Sequence, residues 1–493
     1  MTQAPISDSP EAASDEALYP LVVDMDGTLI KGDMTVEHLL GTLAAAPFRA
    51  FGLAGALLEG REVLKARLPD ESAPRTEGLP LIAPCIALIE EARAAGRRVV
   101  LASASDARIV AAVAHATGLF DEAMGSSAAH NLKGANKAKA LIAMFGEKGF
   151  DYVGDSAADL PVWAAARRAY TIGAGRSLRA RTEAANTDTM HLPAAPPARQ
   201  SLLPPLLRAI RPHQWSKNLL LFVSLLASHL LDAHHIMAAA LGFAAFSLAA
   251  SSAYILNDLL DLDADRAHPR KRTRPFASGD APVVSGLLLS PVLLLCALAV
   301  ALAFLPAQFT ALLIVYYITT LAYSIHLKTK MIVDIFTLAG LYTIRVLAGA
   351  LAIAGSISTW ILAFSMFFFL ALAIVKRQAE IVDLLKSNKE KTAKRDYSVE
   401  DLGMIQALGA AAGFVSVLVL ALYFNSPEAS ALYDYPKILW AICPLILYWI
   451  SRMLVISSRG FMHDDPIVFA ARDRTSHLVG LCVAGVVAAS LLI

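Results

Sequence analysis

Three aspartates, Asp258, Asp261 and Asp265, follow Asn257 at helical spacing. On a continuous helix, a rotation of about 100° per residue places the three carboxylates within an arc of about 60°. We call Asn257 and these three aspartates the acidic stripe. Because like charges on one face repel each other, the stripe predicts a bound cation, and its oxygen ligands suit Mg²⁺. A solvated acidic helix end is the alternative interpretation.

Basic residues flank the acidic stripe along the chain. The loop that follows carries Arg266, Lys271 and Arg274, which could bind phosphate oxygens on the other side of a metal ion. Farther on, Arg345 follows Asp334 by eleven residues, or three helical turns, within an apolar segment. An arginine inside a membrane is costly, so its default interpretation is a buried functional group. A structural partner for Asp334 is the alternative.

A second set of carboxylates lies near the N-terminus. The apolar run from Leu21 predicts a buried strand that ends at Asp24 and Asp26, before Gly-Thr. Asp24 could attack phosphorus, and Asp26 could protonate the leaving oxygen and then activate water. Three later features supply a hydroxyl, an ammonium and two more carboxylates: Ser103, Lys137, and Asp155 with Asp159. For Ser103, a helix cap is an equally good interpretation, and Ser105 is a second candidate for that cap.

The composition divides the 493 residues between water and lipid. The hydrophobic fraction of 56% is higher, and the charged fraction of 17% lower, than in a soluble globular chain. The formal charge of +1 excludes a globally basic nucleic-acid binder. The four cysteines are far apart and form neither a zinc spacing nor a disulfide framework. Beyond about residue 200, long apolar stretches replace the alternating pattern of the N-terminal half.

These stretches predict a helical membrane domain. Each is near the ~20 residues that a helix needs to cross the hydrocarbon core. Alternate loops carry eighteen Lys and Arg residues, against one in the opposite set. The positive-inside rule therefore places the charged loops and the N-terminal half in the cytoplasm, at the cell inner membrane. Nine spans are predicted, at 217–232, 236–256, 282–304, 308–327, 331–353, 358–376, 403–424, 436–455 and 476–493.

The acidic stripe, NDxxDxxxD, resembles the first signature of the UbiA superfamily of intramembrane prenyltransferases, over about residues 208–493. Aromatic-acceptor members carry a second DxxxD pair, whereas here the residue four positions after Asp334, where the second aspartate would stand, is Leu338. The chain is more similar to the decaprenyl-phosphate phosphoribosyltransferase branch, at RPHQWSKN (211–218), HPRK (268–271) and Lys376-Arg377. This resemblance implies phosphoribosyl pyrophosphate as donor and polyprenyl phosphate as acceptor, with Mg²⁺ and cations that neutralise the departing diphosphate.

The same resemblance implies roles for individual residues. Asn257, Asp258, Asp261 and Asp265 would bind Mg²⁺ and diphosphate, with Asp258 and Asp261 counted as catalytic. Asp334 would face the ribose or its developing cation. The remaining substrate contacts are Lys217, Arg266, Lys271, Arg274, Tyr323, Lys328, Arg345, Lys376 and Arg377.

The N-terminal carboxylates and their companions resemble the four motifs of the haloacid-dehalogenase (HAD) superfamily, over about residues 19–192. This resemblance implies a Rossmann-like α/β fold with a doubly wound parallel sheet and a small helical cap from Val36 to about Leu68. It also implies a nucleophile, Asp24; an acid/base, Asp26; phosphate contacts at Ser103 and Lys137; and Mg²⁺ ligands at Asp24, Asp155 and Asp159.

Together, the two halves predict a two-domain, two-step enzyme in the lipid bilayer. It would make polyprenyl-phosphoryl ribose, with no nucleic acid as partner and with homo-oligomerisation left open. The expected parts are a disordered N-terminus at 1–18, the HAD-like domain at 19–192, a linker at 193–207 and the membrane domain at 208–493. One alternative is an aromatic (4-hydroxybenzoate-type) polyprenyltransferase with an accessory phosphatase. The other is a transporter or lipid-binding scaffold with vestigial sites.

Overall fold

A computed structural model describes residues 19–46, 76–127, 130–193, 201–355, 358–386, 396–462 and 465–492. The expected disordered N-terminus (1–18), most of the expected cap (47–68) and seven of the fifteen residues of the expected linker (194–200) lie outside these residues. The chain forms two compact units. The first contains Met1–Ile210 and Asp258–Leu289, and the second contains Arg211–Asn257 and Ser290–Ile493.

A six-stranded parallel sheet forms the centre of the first unit, in the order β3-β2-β1-β4-β5-β6. Alternate strand residues enter separate cores: Leu21 and Val23 pack in one, and Val22 packs in the other. Both faces of the sheet are therefore buried, as in doubly wound folds, which confirms the predicted parallel α/β architecture. The strands are β1 (Leu21–Val23), β2 (Val99–Asp106), β3 (Glu122–Ser126), β4 (Asp151–Gly154), β5 (Ala169–Ile172) and β6 (Thr189–Leu192).

Helices connect these strands and follow the sheet. They are α1 (Met34–Ala45), α2 (Ala83–Ala94), α3 (Ala107–Thr117), α4 (Ala135–Phe145), α5 (Leu160–Ala165), α6 (Arg176–Ala185) and α7 (Leu203–Ile210). The described part of the expected cap is α1, whose N-cap Asp33 accepts hydrogen bonds from the backbone of Thr35 and Val36.

The second unit is helical. Two of its helices, α9 and α11, also extend for a few residues into the first unit. Its helices are α8 (Leu221–Ala227), α9 (Ala233–Leu260), then, after the short α10 (Leu262–Ala267) of the first unit, α11 (Val283–Phe304), α12 (Ala307–Ile325), α13 (Val333–Ala352), α14 (Thr359–Lys386), α15 (Leu402–Phe424), α16 (Pro427–Leu432), α17 (Ile442–Ser458), α18 (Pro466–Ala470) and α19 (Arg474–Leu492).

Eight helices in the described ranges are long and apolar enough to cross a membrane. They correspond to the last eight predicted spans. The first predicted span, 217–232, instead contains the end of a 3₁₀ helix, Pro212–Leu220, and the seven-residue α8. Because α8 ends at Ala227, with Ser228 as its C-cap, and His229 adopts a positive φ of 56°, no long helix forms there. The predicted count of nine is therefore not confirmed.

Gly349 permits an unusually close helix contact in the second unit. A Cβ atom at this position of α13 would lie 2.0 Å from the backbone oxygen of Leu221, the first residue of α8. Membrane helices approach this closely where one of them presents a small residue. The contact fixes the position of α8 and of the 3₁₀ helix that precedes it.

Candidate active sites

The carboxyl ends of β1 and β4 bring the first set of predicted residues together. Asp24 directly follows β1, and its backbone N–H donates to the carbonyl of Val153 in β4. Lys137, near the start of α4, donates to Asp24 Oδ1 at 2.8 Å, and its Nζ lies 3.7 Å from Asp159 Oδ1. The Lys137 ammonium is buried between two carboxylates, where it could also bind a phosphate oxygen.

Asp24, Asp155 and Asp159 form a cluster that fits a divalent cation. Each offers a carboxylate oxygen, and these oxygens all lie within 4.8 Å of one another. Burial raises the pKa of Asp24 to about 7, and burial together with Asp159 raises the pKa of Asp155 to about 7. Oxygen-only donors suit Mg²⁺, and a bound cation would offset both the burial of these carboxylates and their mutual repulsion. The structure therefore brings the three predicted metal ligands together.

Asp26 is held by three hydrogen bonds. Its Oδ1 accepts from the backbone N–H of Met34 at 2.8 Å, and its Oδ2 accepts from Ser105 at 2.8 Å and from Ser103 at 3.3 Å. Burial raises the pKa of Asp26 to about 6, which suits an acid that must also act as a base near neutral pH. The serines do not cap α3, because its N-cap is Asp106. The cap alternative was therefore wrong.

Tyr152 belongs to this site although the sequence analysis did not select it. Its hydroxyl accepts from Lys137 at 2.9 Å and donates to Asp159 at 2.8 Å. Burial raises the pKa of Tyr152 well above its usual value, so it remains a neutral donor. A tyrosine inside a strand buried on both faces needs a polar partner, and this was the available signal.

We expect Gly27→Ala to abolish phosphatase turnover. Gly27 has a φ of +77°, and a Cβ there would lie 2.2 Å from Asp155 Oδ2, so the substitution strains the backbone and displaces a metal ligand. Gly96→Ala is the matched control, because Gly96 has a φ of +73° but nothing within 4 Å of the new Cβ. Hydrolysis of ribose 5-phosphate measures the effect. Equal losses in both variants would attribute the effect to backbone strain alone.

Magnesium affinity should depend on pH at this cluster. Asp24 and Asp155 have pKa values of about 7, so Mg²⁺ must displace protons from them below that pH. We expect the apparent affinity to fall about tenfold or more from pH 8 to pH 6. Folding stability of the metal-free protein depends on pH in the opposite direction. It falls as pH rises through about 7, because these carboxyls ionise near pH 3.9 in the unfolded chain but only near pH 7 in the folded one. Magnesium titrations followed by thermal unfolding at both pH values check this, and equal affinities would contradict it.

The acidic stripe takes a different form from the predicted continuous helix. Helix α9 ends at Leu260, and Asp261 lies between α9 and α10. Arg274 Nη1 donates to Asp258 at 3.0 Å and to Asp265 at 2.5 Å. Burial raises the pKa of Asp265 in spite of Arg274. The Arg274 guanidinium therefore contacts two carboxylates of the stripe.

The stripe also fits Mg²⁺ by its donors, though less closely. Asp258 and Asp265 are buried and contact the same guanidinium nitrogen, so one cation can interact with both. Unlike the Asp24 cluster, the three stripe carboxylates are not gathered within 4.8 Å of one another in the described part of the chain. Asn257, at the end of α9, is half-buried.

Arg345 is buried in α13, but its partners differ from the proposed one. Its Nε donates to Asn218 at 2.9 Å, its Nη2 donates to Tyr316 at 2.9 Å, and its Nη1 donates to the carbonyl of Leu341. The alternative of a structural partner for Asp334 was therefore wrong. Neither Asn218 nor Tyr316 neutralises the guanidinium, so its charge remains available to an anion.

Asp334 instead pairs with Arg377 of α14. The Arg377 Nε and Asp334 Oδ2 are 2.6 Å apart, and Tyr397 donates to Asp334 Oδ1 at 2.6 Å. Arg377 also pairs with Glu380 and donates to Tyr323 at 3.5 Å. Both charges of the Asp334 pair are almost fully buried, which makes it a structural contact as well as a candidate site.

Two predicted phosphate contacts share a carboxylate that the sequence analysis missed. Lys217 and Lys376 donate to Asp465 Oδ2 at 3.2 and 3.1 Å. Burial opposes ionisation of Asp465, but Lys376 and Lys217 lower the pKa of its carboxyl. The available signal was an aspartate before a proline between two apolar segments. Of the other predicted contacts, Lys271 is exposed and Lys328 is half-buried, each in a short 3₁₀ helix.

We expect Asp465→Asn to lower transferase turnover about tenfold or more, because two half-buried ammonium groups lose their shared counter-charge and move apart. Glu428→Gln, an exposed change in the same unit, is the control. Product formation in membranes at saturating donor is the measurement. An unchanged rate in the asparagine variant would show that Asp465 does not position the lysines.

Comparison with known proteins identifies the membrane half. The UbiA prenyltransferase family profile matches residues 219–459. A decaprenyl-phosphate phosphoribosyltransferase of Mycolicibacterium smegmatis is 30% identical over 306 residues, which are 60% of this chain and 95% of that protein. The chain belongs to the UbiA prenyltransferase family. With its eight apolar helices, this UbiA family member is a multi-pass membrane protein.

Further similarity extends beyond the membrane half. This UbiA family member is 36% identical over 468 residues to the uncharacterized protein y4nM of Sinorhizobium fredii, covering 94% of this chain and 90% of that protein. A HAD family hydrolase from Salmonella enterica has a solved structure that matches 35% of this UbiA family member and 67% of that chain, at 16% identity and a TM-score of 0.26. The phosphatase interpretation depends on the Asp24 cluster and not on this likeness.

Proposed function

We propose that the chain transfers the 5-phosphoribosyl group of phosphoribosyl pyrophosphate to a polyprenyl (decaprenyl-type) phosphate and then removes the 5-phosphate. The product, polyprenyl-phosphoryl ribose, would supply pentoses for the cell envelope or for glycans. The observation that carries the proposal is the 30% identity to a decaprenyl-phosphate phosphoribosyltransferase over 95% of that protein. The Asp24 cluster supports the second step.

In the first step, the bond between C1 of the ribose and the pyrophosphate oxygen breaks, and pyrophosphate leaves with the electron pair. A phosphate oxygen of the lipid forms the new bond to C1. The acceptor is already an anion and needs no strong base. Arg345, Lys217 and Lys376 supply positive charge, and Asp334 would stabilise the ribose cation as it develops.

In the second step, an Asp24 oxygen attacks the phosphorus of the 5-phosphate, and the bond from phosphorus to the ribose O5 breaks. Asp26 donates a proton to O5. It then accepts a proton from the water that hydrolyses the aspartyl phosphate. Lys137 neutralises the phosphate oxygens, and Ser103 and Ser105 orient Asp26.

Magnesium would be held at the phosphatase site by Asp24, Asp155 and Asp159. At the transferase site it would be held by the acidic stripe. When bound, it neutralises phosphate charge that would otherwise repel the attacking or the neighbouring carboxylates. Loop charge supports placing both sites on the cytoplasmic side of the inner membrane. Residues 217–232 would form a ninth membrane-inserted segment, although not as one long helix.

Mass spectrometry of lipid products tests the proposal. Membranes containing the protein receive labelled phosphoribosyl pyrophosphate with polyprenyl phosphate, or prenyl diphosphate with 4-hydroxybenzoate. The proposal predicts polyprenyl-phosphoryl ribose from the first mixture. A prenylated benzoate from the second mixture alone would favour the aromatic prenyltransferase, and no magnesium-dependent product from either would favour a scaffold or transporter.

A further inference from the structure

Arg266, which the sequence analysis assigned to phosphate, is occupied by a carboxylate of the phosphatase half. Its Nη1 and Nη2 donate to the two Glu37 oxygens at 2.8 and 3.0 Å. Its Nε donates to the carbonyl of Ala277 at 3.3 Å. The Arg266 and Glu37 side chains are 2% and 5% exposed. These contacts use three of the five guanidinium N–H donors, and the burial of the side chain limits the access of a phosphate to the other two.

The pair lies at the centre of a closely packed seam. We define the seam as residues 31–37 and 78–81 on the phosphatase side, and 262–281 on the side of the acidic stripe. A Cβ at Gly78 would lie 3.2 Å from the Arg266 Cβ, and a Cβ at Gly279 would lie 2.8 Å from the Lys31 Cβ. Both glycines have positive φ, so the backbones approach where side chains would not fit.

The seam joins the two candidate sites through the backbone. Asp265 of the acidic stripe directly precedes Arg266, and its carboxylate contacts Arg274 within the same loop. On the other side, Met34 begins the helix that carries Glu37, and its N–H donates to the acid/base Asp26. One ion pair therefore separates the turn that holds Asp26 from the loop that carries Asp265.

Breaking a buried ion pair strands an uncompensated charge, so such pairs favour one arrangement of the segments that they join. We propose that the Glu37–Arg266 pair docks the phosphatase on the acidic-stripe loop, so that the lipid-linked 5-phosphate reaches Asp24 without leaving the protein. This inference rests on the proposed function. The molecule passed to Asp24 would be a phosphorylated sugar on a polyprenyl phosphate, produced by the same chain. Arg266 is a docking residue and not a phosphate contact.

Two Glu37 variants and a charge swap test the docking. Glu37→Gln weakens the pair, Glu37→Arg reverses it, and Glu37→Arg with Arg266→Glu restores it with opposite polarity. Glu122→Gln, at a surface pair with Arg98, is the control. Hydrolysis of ribose 5-phosphate, a soluble substrate that needs no docking, should stay within about twofold of wild type and verifies folding.

In membranes supplied with labelled phosphoribosyl pyrophosphate, an excess of unlabelled lipid 5-phosphate should not dilute the label in the wild-type product. We expect Glu37→Arg to raise the labelled 5-phosphorylated fraction about fivefold or more, Glu37→Gln to raise it less, and the charge swap to restore the wild-type fraction. Amide hydrogen exchange over residues 268–281 should rise in the single variants and fall again in the swap.

An unchanged product fraction with unchanged exchange in Glu37→Arg would overturn the docking inference. Loss of lipid phosphoribosylation in the charge swap would also overturn it and return Arg266 to the phosphate contacts. If the wild-type chain makes no phosphoribosyl lipid at all, the proposed function fails instead. Hydrogen exchange would then still test whether Glu37 and Arg266 dock the two segments.

Discussion

Asp24→Asn should stop the reaction at the lipid-linked 5-phosphate. The amide cannot form the aspartyl phosphate, and it removes a charged oxygen from the cluster with Asp155 and Asp159. We expect release of inorganic phosphate to fall by about a thousandfold or more. Lipid phosphoribosylation should continue at the wild-type rate, because Asp24 takes no part in that step. Mass spectrometry then finds the 5-phosphorylated lipid as the accumulating product.

Two comparisons make this result specific. Asp188→Asn removes a carboxylate that pairs with Arg168 at the surface, and should change neither step. Asp26→Asn should also block phosphate release, because it removes both the proton donor to O5 and the base that activates water. If Asp24→Asn still yields the dephosphorylated lipid, the assignment of the second step to this domain is wrong.

Asp258→Asn should abolish the first step. Asp258 is buried, and both it and Asp265 accept hydrogen bonds from the Arg274 guanidinium. In the asparagine variant, Asp265 is the one remaining carboxylate of this pair that neutralises Arg274. We expect transfer to lipid to fall by about a thousandfold or more, because the stripe could no longer hold magnesium against the departing pyrophosphate. Pyrophosphate release and labelled lipid measure this loss.

Asp263→Asn is the matched control for the stripe. Asp263 lies in the same short helix as Asp265 but outside the stripe, so its neutralisation should leave transfer within about twofold of wild type. Turnover of ribose 5-phosphate in both variants verifies that the phosphatase remains folded. Equal transfer by Asp258→Asn and wild type would remove the acidic stripe from the mechanism.

The Asp24 cluster was largely predictable from sequence. The carboxyl ends of parallel strands meet at one edge of a sheet, so residues directly after β1 and β4 must lie close together. Asp24 and Asp155 occupy such positions. Tyr152 was harder to predict because it lies within β4 among apolar neighbours, where a tyrosine first indicates the core.

The polar contacts of the membrane half were not predictable in the same way. Helical periodicity shows which residues share a face but not which helix packs against that face. Arg266 and Glu37 are 229 positions apart, and Lys217 and Asp465 are 248 apart. No local pattern links such pairs. The first predicted span is not confirmed for a different reason, since hydropathy alone does not register the turn at Ser228 and His229.

The close contact at Gly349 restricts which residues this position can hold. Arg345 lies one helical turn before Gly349, and its partner Asn218 lies just before Leu221, whose backbone oxygen a Cβ at position 349 would meet. Any larger residue there would push the asparagine away from the arginine. In a saturation-mutagenesis screen for lipid product, position 349 would thus be as intolerant as the acidic stripe, although it carries no functional group.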